Sequence, residues 1–199
     1  MIKNFVFDLG RVLVDFYPIP YMEQLGLDDE TINKLNEIIF KSQDWVDYDS
    51  GILLHNTDII QKLAKEHPEL EEEIKLVLQD DWVKVHKLRE DMADYLISLK
   101  KEGYNIYILS NISIDSYEYV SNYDFFNYID GGVYSYEVKV SKPNELIYKI
   151  LLQRYNLVPE ETIFIDDSLK NIEAAEKLGI NGVQHIDLEQ TQRIIDEKL

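Results

Sequence analysis

The chain has 199 residues, 45% of them hydrophobic, carries no cysteine and bears a formal net charge of −18. Length and apolar content give one globular domain with room for an inserted subdomain, while the missing cysteines exclude disulfides, thiolate metal sites and cysteine nucleophiles. So acidic a chain, with no basic cluster, repels nucleic acid; with no membrane-length apolar run and no basic leader, a cytoplasmic protein free of the membrane is expected.

Asn4-Phe5-Val6-Phe7 runs into Asp8, and Gly10 follows two residues later. The short length and the glycine stop favour a buried strand ending at Asp8. In open α/β sheets ligands bind outside the carboxyl ends of the strands, which is where this aspartate falls, although a turn-capping aspartate reads the same way. Residues 16–88 have a different character, with helical periodicity and few strand-like runs. A helix is predicted over 30–41, with Ile32, Leu35, Ile38 and Ile39 on one face. A second starts at Asn56 or Thr57 and runs to Lys65, and Pro68 separates it from a third over 69–79. The acids Glu69, Glu71, Glu72 and Glu73 suit the positive end of that helix dipole. This block reads as a small helical bundle.

Beyond it, strands and helices alternate. A helix over 89–102 is closed by Gly103, a buried strand covers 105–110, and a helix covers 115–121. A glycine-interrupted strand over 128–136 follows, then a helix opened by Pro143 and running to Tyr155. The strand over 162–165 stops at Asp166-Asp167, the helix over 168–178 closes at Gly179, and a last short strand covers 182–185. This alternation predicts an α/β fold with a parallel sheet and right-handed crossovers. The helical block is inserted at the carboxyl end of the first strand, so it hangs over the ligand-binding edge as a cap. The expected division is a core of 1–15 and 89–199 and a cap of 16–88.

Four strand ends or loops bring polar groups to that edge: Asp8, Ser110-Asn111, Lys142 and Asp166-Asp167. Singly, each has a plain explanation, as a helix N-cap pair, a surface lysine or a pair of capping acids. Together they suit phosphoryl transfer through an aspartyl phosphate. A carboxylate attacks phosphorus only if the repulsion between the two anions is shielded, and Mg²⁺ held by carboxylates does this. Asp8 is then nucleophile and metal ligand, with Asp166 and Asp167 the remaining acids. Ser110 and backbone N–H groups near Asn111 would bind phosphoryl oxygens, and Lys142 would neutralise charge on the nucleophile and the transferring group.

In this order the motifs resemble the haloacid dehalogenase superfamily, in its branch of small phosphatases with a helical cap after the first motif. They are Phe-Asp8-Leu-Gly10-Arg-Val-Leu-Val-Asp15, Ile-Leu-Ser110-Asn111, Ser-Lys142-Pro143 and Phe-Ile-Asp166-Asp167-Ser-Leu-Lys-Asn171. The cap stretch from Trp45 to Gly51 resembles that branch too. The resemblance implies a Rossmann-like core and a Mg²⁺-dependent phosphohydrolase site at the cap interface. It also implies metal ligation by Asp8, the Gly10 carbonyl and Asp167, with Asp166 acting through water.

The usual motif of that family has a second aspartate where this chain has Gly10, and there it handles both proton transfers. Asp15, Asp47 and Asp49 are the candidates to replace it, each open to a plain reading as a solvent-facing or hinge carboxylate, with the two cap residues preferred. Arg11 either touches substrate or pairs with a nearby acid, with the pairing preferred. His55, His67, His86 and His185 have no metal-ligand spacing and are read as ordinary surface or packing residues. Trp45 and Tyr48 fit a sugar-binding face and helix packing equally well.

The expected activity is hydrolysis of a small phosphomonoester, a sugar phosphate or similar metabolite. Three rivals are weighed. A metal-independent dehalogenase of the same superfamily does not keep the acid pair. A phosphoryl-accepting receiver module places its acid pair first and has no cap. A catalytically silent binding protein is supported by Gly10 alone.

Overall fold

The computed structural model describes the backbone of residues 1–199 and every side chain but that of Asp80. The chain opens with β1 (Asn4–Phe7). Two short strands, β2 (Val14–Phe16) and β3 (His86–Leu88), bracket α1 (Pro18–Gln24), α2 (Asp29–Leu35), α3 (Gln43–Asp49), α4 (Asn56–Glu66) and α5 (Glu71–Val77). The remainder runs α6 (Glu90–Lys101), β4 (Asn105–Ser110), α7 (Ile114–Val120), β5 (Gly131–Tyr134), α8 (Ser135–Val138), α9 (Glu145–Tyr155), β6 (Thr162–Asp166), α10 (Leu169–Glu176), β7 (Asn181–Gln184) and α11 (Leu188–Asp196).

Five strands form a parallel sheet in the order β5-β4-β1-β6-β7. The alternation of side chains along each strand divides its apolar residues between two faces. Phe5, Phe7, Ile106, Ile108, Ile163 and Ile165 pack under α6, α7 and α11. Val6, Tyr107, Leu109 and Phe164 pack against α9 and α10 on the other side. With both faces covered, strands such as Ile106 to Leu109 are hydrophobic throughout, as a doubly covered parallel sheet requires. Burial of Phe5 and Phe7 stabilises the centre of the sheet by about 2 kcal/mol each.

Register then fixes the chemistry. Phe7 stands opposite Ile108 on one side and Ile165 on the other. The next residues along, Asp8, Leu109 and Asp166, therefore emerge level at the carboxyl edge, with the chain branching to either side of β1. Ligands of open α/β sheets bind at such a switch point.

The helices from α1 to α5 enclose a separate apolar cluster that includes Met22, Leu35, Trp45, Ile59, Val77 and Trp82. This helical unit joins the sheet through β2 and β3, which pair antiparallel with Val14 opposite Leu88 and Phe16 opposite His86. Of the expected boundaries, 15/16 falls within β2 and 88/89 falls at the end of β3.

Several boundaries differ from expectation. The segment 30–41 is α-helical only to Leu35, then widens to a π-helix over Asn36–Phe40. Of 128–136, only β5 is extended; Asp124–Tyr128 is a 3₁₀ turn and α8 begins at Ser135. The helix expected from Pro143 starts at Glu145, because the Asn144 side chain accepts from the Leu146 N–H at 3.0 Å and is the better N-cap. The helices α1, α3 and α11 and the β2–β3 ribbon lie where no element is predicted. Among the described residues no helix is long and apolar enough to cross a membrane.

Candidate active site

Asp8 continues the ladder of β1, its N–H donating to the Ile165 carbonyl at 2.9 Å. Its carboxylate accepts the Leu9 N–H at 2.7 Å. The turn that follows is tightly tied: Leu13 and Val14 donate to the Leu9 carbonyl at 2.9 and 2.8 Å, and Arg11 donates to Val14 at 2.7 Å. Arg11 takes a left-handed φ of 58° in this turn, and its carbonyl accepts from Arg89 Nη1 at 2.9 Å. The loop that presents Asp8 is thus held from the start of α6.

Lys142 reaches the same point from the loop before α9. Its Nζ donates to Asp166 Oδ2 at 2.7 Å and to the Leu109 carbonyl at 2.8 Å, and forms an ion pair with Asp8 Oδ1 at 2.9 Å. The lysine side chain is 1% exposed and that of Asp166 is fully buried. Asn111 clamps the lysine backbone at both ends: its Nδ2 donates to the Lys142 carbonyl at 3.0 Å, and its Oδ1 accepts the Lys142 N–H at 2.8 Å. The Asn111 side chain is therefore spent on positioning Lys142, leaving its backbone N–H as the group to offer a ligand.

The two adjacent acids differ in availability. Asp166 accepts from Lys142, from the Ser168 N–H at 2.8 Å and from Asn171 Nδ2 at 2.9 and 3.1 Å. Asp167 is half-buried, and among the described residues its one ion pair is with the Arg11 guanidinium, at 3.6 Å. The expected pairing of Arg11 is present but loose, and the arginine side chain is largely exposed.

One oxygen from each of Asp8, Asp166 and Asp167 lies within 4.8 Å of the others. At that separation and an effective dielectric near 20, each carboxylate pair repels by about 3 kcal/mol. Burial, and then the Asp166 charge, push the Asp8 carboxyl above its ordinary range, against the opposing pull of Lys142. Burial and Asp166 likewise raise Asp167. For Lys142, burial works against the charged form, but Asp8 and Asp166 outweigh it and its pKa is raised. One ammonium facing three carboxylates leaves an excess of negative charge converging on oxygen donors alone. That donor set suits a hard divalent cation such as Mg²⁺.

Above these groups lies a cleft of about 270 Å³. Asp8, Gly10, Arg11, Ser110, Asn111 and Asp167 border it on the sheet side, and Phe16, Trp45, Asp49 and His86 border it on the side of the helical unit. Trp45 lines the cleft while packing edge-on against Phe40, Tyr48 and Trp82, so helix packing accounts for it in part. Tyr48 is fully buried; its hydroxyl donates to Asp115 Oδ2 at 2.5 Å.

Of the three acids considered to replace the residue missing at Gly10, only Asp49 borders the cleft. Asp47 accepts from Gln43 Nε2 at 2.9 Å, and Asp15 stands opposite Lys87 in the ribbon. Burial pushes the Asp49 carboxyl up to about 8, opposed only by the Ser113 backbone N–H. His86, read from the sequence as an ordinary residue, is a buried part of the cleft wall. Its Nδ1 is 2.8 Å from the Val83 carbonyl, and burial lowers it to about 4. Arg89 and Asn171, the residue that closes the fourth motif, carry no expected role; the signal for Asn171 is a polar residue five positions after Asp166, in the first turn of α10.

Comparison with known proteins bears on the family and the fold. A family model described as haloacid dehalogenase-like hydrolase matches residues 2–179. The chain is 26% identical to a D-ribitol-5-phosphate phosphatase of Bacteroides thetaiotaomicron, over 92% of each chain. It is 27% identical to a phosphorylated carbohydrates phosphatase of Thermotoga maritima, over 90% of this chain and 84% of that one. Among solved structures, a haloacid dehalogenase family enzyme of Bacteroides thetaiotaomicron in complex with magnesium and inorganic phosphate superposes with a TM-score of 0.71. It is 26% identical and covers 94% of this chain and 95% of its own. With the fold, the four sequence motifs and the family model in agreement over most of its length, the chain belongs to the haloacid dehalogenase-like hydrolases.

Proposed function

We propose that this hydrolase is a Mg²⁺-dependent phosphatase that cleaves a small phosphomonoester, a sugar phosphate or similar metabolite, through an aspartyl phosphate on Asp8. The observation that carries the reading is the convergence of three carboxylates around one ammonium at the mouth of a cleft. The named relatives act on D-ribitol 5-phosphate and on phosphorylated carbohydrates, which supports a small polyol or sugar ester as the substrate. The helical unit is proposed to act as the cap, with its boundaries in the β2–β3 ribbon, and the cytoplasm is the proposed compartment.

Asp8 attacks phosphorus with the carboxylate oxygen not engaged by Lys142. Lys142 holds the other oxygen at 2.9 Å, which aims the nucleophile and offsets charge on the transferring group. Ser110 and the Asn111 N–H accept the phosphoryl group from the β4 side. Asp8, Asp167 and the Gly10 carbonyl would hold Mg²⁺, with the fully bonded Asp166 acting through water. When bound, the ion screens the repulsion between the nucleophile and the phosphate. Water then attacks the phosphorus and breaks its bond to Asp8. A metal-independent dehalogenase reaction is a poor fit, because three carboxylates this close repel strongly without a cation.

The test is phosphate release from a panel of phosphorylated metabolites, with Mg²⁺ or with chelator, for wild type and Asp8→Asn. Mg²⁺-dependent release that the variant lacks is expected. Release from no ester, or turnover by Asp8→Asn without deamidation detectable by mass spectrometry, would refute the reading and favour a silent binding protein or another nucleophile.

A further inference from the structure

We propose that Asp49, at the end of α3 in the helical unit, is the group that protonates the leaving oxygen and afterwards takes the proton of the attacking water. This inference rests on the phosphatase reading above. A sugar or polyol leaves as an alkoxide, a far stronger base than an aryl oxide, and its departure needs a proton at the moment of cleavage. The cleft supplies few groups able to give one. Asp8 bonds to phosphorus, while Asp166 and Asp167 belong to the cation side of the site. Arg11 does not release a proton near neutrality. His86 is neutral there, since burial holds its pKa near 4. Ser110 and Ser116 are alcohols no more acidic than the leaving group itself. Among the described side chains bordering the cleft, Asp49 remains.

Its placement is fixed by contacts on both sides of it in sequence. The Asp49 carbonyl accepts from Ser135 Oγ at 2.5 Å, and the same hydroxyl accepts the Ile112 N–H at 2.8 Å. The Gly51 carbonyl accepts from Lys139 Nζ at 2.5 Å. Tyr48 donates to Asp115, which also accepts the Asn56 N–H at 2.8 Å. The residues flanking Asp49 are thus bound to α7, α8 and the loop after β4, and Asp49 itself, partly buried, borders the cleft. It has no ion-pair partner among the described residues. The charged and titratable groups around it are Tyr48 on its own helix, Lys139, whose ammonium is bound to Gly51, His86 on the same side of the cleft, and Asp8, Asp167 and Arg11 across it. Burial and the negative end of the α3 dipole both favour the protonated form.

The proton balance closes over two half-reactions. In the first, the Asp8 oxygen bonds to phosphorus, the ester P–O bond breaks, and the Asp49 proton passes to the departing oxygen. In the second, the Asp49 carboxylate takes a proton from water as its oxygen bonds to phosphorus and the Asp8–phosphorus bond breaks. Inorganic phosphate leaves and Asp49 is again protonated.

The test compares wild type, Asp49→Asn and Asp49→Glu on 4-nitrophenyl phosphate and on the best alkyl phosphate from the metabolite panel. For Asp49→Asn, kcat/KM on the alkyl ester should fall by about 10² to 10³. On the aryl ester, rapid mixing should give a stoichiometric burst of nitrophenolate at nearly the wild-type rate, followed by slow turnover. The alkaline limb of the wild-type pH profile on the alkyl ester should vanish, and Asp49→Glu should recover at least tenfold over Asn. Equal losses on both esters with no burst, or no loss on either, would overturn the proposal. If wild type releases no phosphate in the presence of Mg²⁺, the phosphatase reading fails and this inference fails with it. A wild type active on both esters separates the two cases.

Discussion

Replacing Asp49 by Asn should make the protein more stable above neutral pH even as it damages turnover. The carboxyl sits in the cleft wall with its pKa pushed from 3.8 to about 8, chiefly by burial. A group that binds its proton more tightly in the folded state costs stability as pH rises from the unfolded pKa to the folded one. Folding is therefore unaffected by Asp49 below about pH 4 and bears the full cost above about pH 8. A displacement of about four pH units corresponds to about 6 kcal/mol if the site is sealed from water. The cleft wets one side of this carboxyl, so about a third of that, roughly 2 kcal/mol, is expected. For a chain of this size that is a rise in Tm of about 4–8 °C. Thermal unfolding of metal-free wild type and Asp49→Asn from pH 4 to pH 9 measures it. The curves should nearly coincide at pH 4 and separate progressively, with the variant higher. A constant offset across pH, or a variant less stable at pH 9, would refute the assignment of a desolvated, unpaired carboxyl.

Lys142→Met leaves Asp8 and Asp166 buried without their shared cation, so urea denaturation at pH 7 should show a loss of about 3–5 kcal/mol. A loss below about 1 kcal/mol would contradict the role of that ammonium. Mg²⁺ at about a hundredfold over its dissociation constant should stabilise wild type by about 2.7 kcal/mol, seen as a higher Tm, and do so much less for Asp167→Asn. A Cβ added at Gly10 meets nothing within 4 Å and the backbone there is not left-handed, so Gly10→Asp should fold normally. It should also restore at least tenfold of the alkyl phosphatase activity lost in Asp49→Asn, measured as kcat/KM. Gly51 has φ +67°, and a Cβ there would stand 2.6 Å from the Tyr136 carbonyl oxygen, so Gly51→Ala should raise KM by displacing the end of α3.

The parts of the fold that could be read in advance are those where one residue type answers to one force. The buried strands ending at Asp8, Ser110 and Asp166 announce themselves as apolar runs stopped by polar groups, because a doubly covered sheet leaves no solvent face. The β2–β3 ribbon has only three residues on each side, too few for a period to emerge, and its pairing joins positions seventy or more residues apart. The helix α11 places Thr191 in its buried face, where the hydroxyl lies 2.8 Å from His185 Nδ1, so a polar residue occupies a position that an apolar pattern would claim. The site divides in the same way. Asp8, Lys142 and the acid pair sit next to strand ends and are visible locally. The choice of Asp49 over Asp47 depends on which side of α3 meets the cleft, and only docking against Ser135 and Lys139 decides it. His86 has no distinguishing neighbours in sequence at all.

The β2–β3 ribbon is the only strand pairing that ties the helical unit to the sheet among the described residues, while the contacts of Tyr48, Asp49 and Gly51 lie at its far side. The helical unit is therefore tied at two places, and the second tie is a latch: the Tyr48 hydroxyl on Asp115, and Ser135 and Lys139 on the carbonyls of Asp49 and Gly51. Parting the two walls of the cleft would have to break all three of those bonds together, so the segment that carries Asp49 is held to the part of the molecule that carries Asp8 and Lys142.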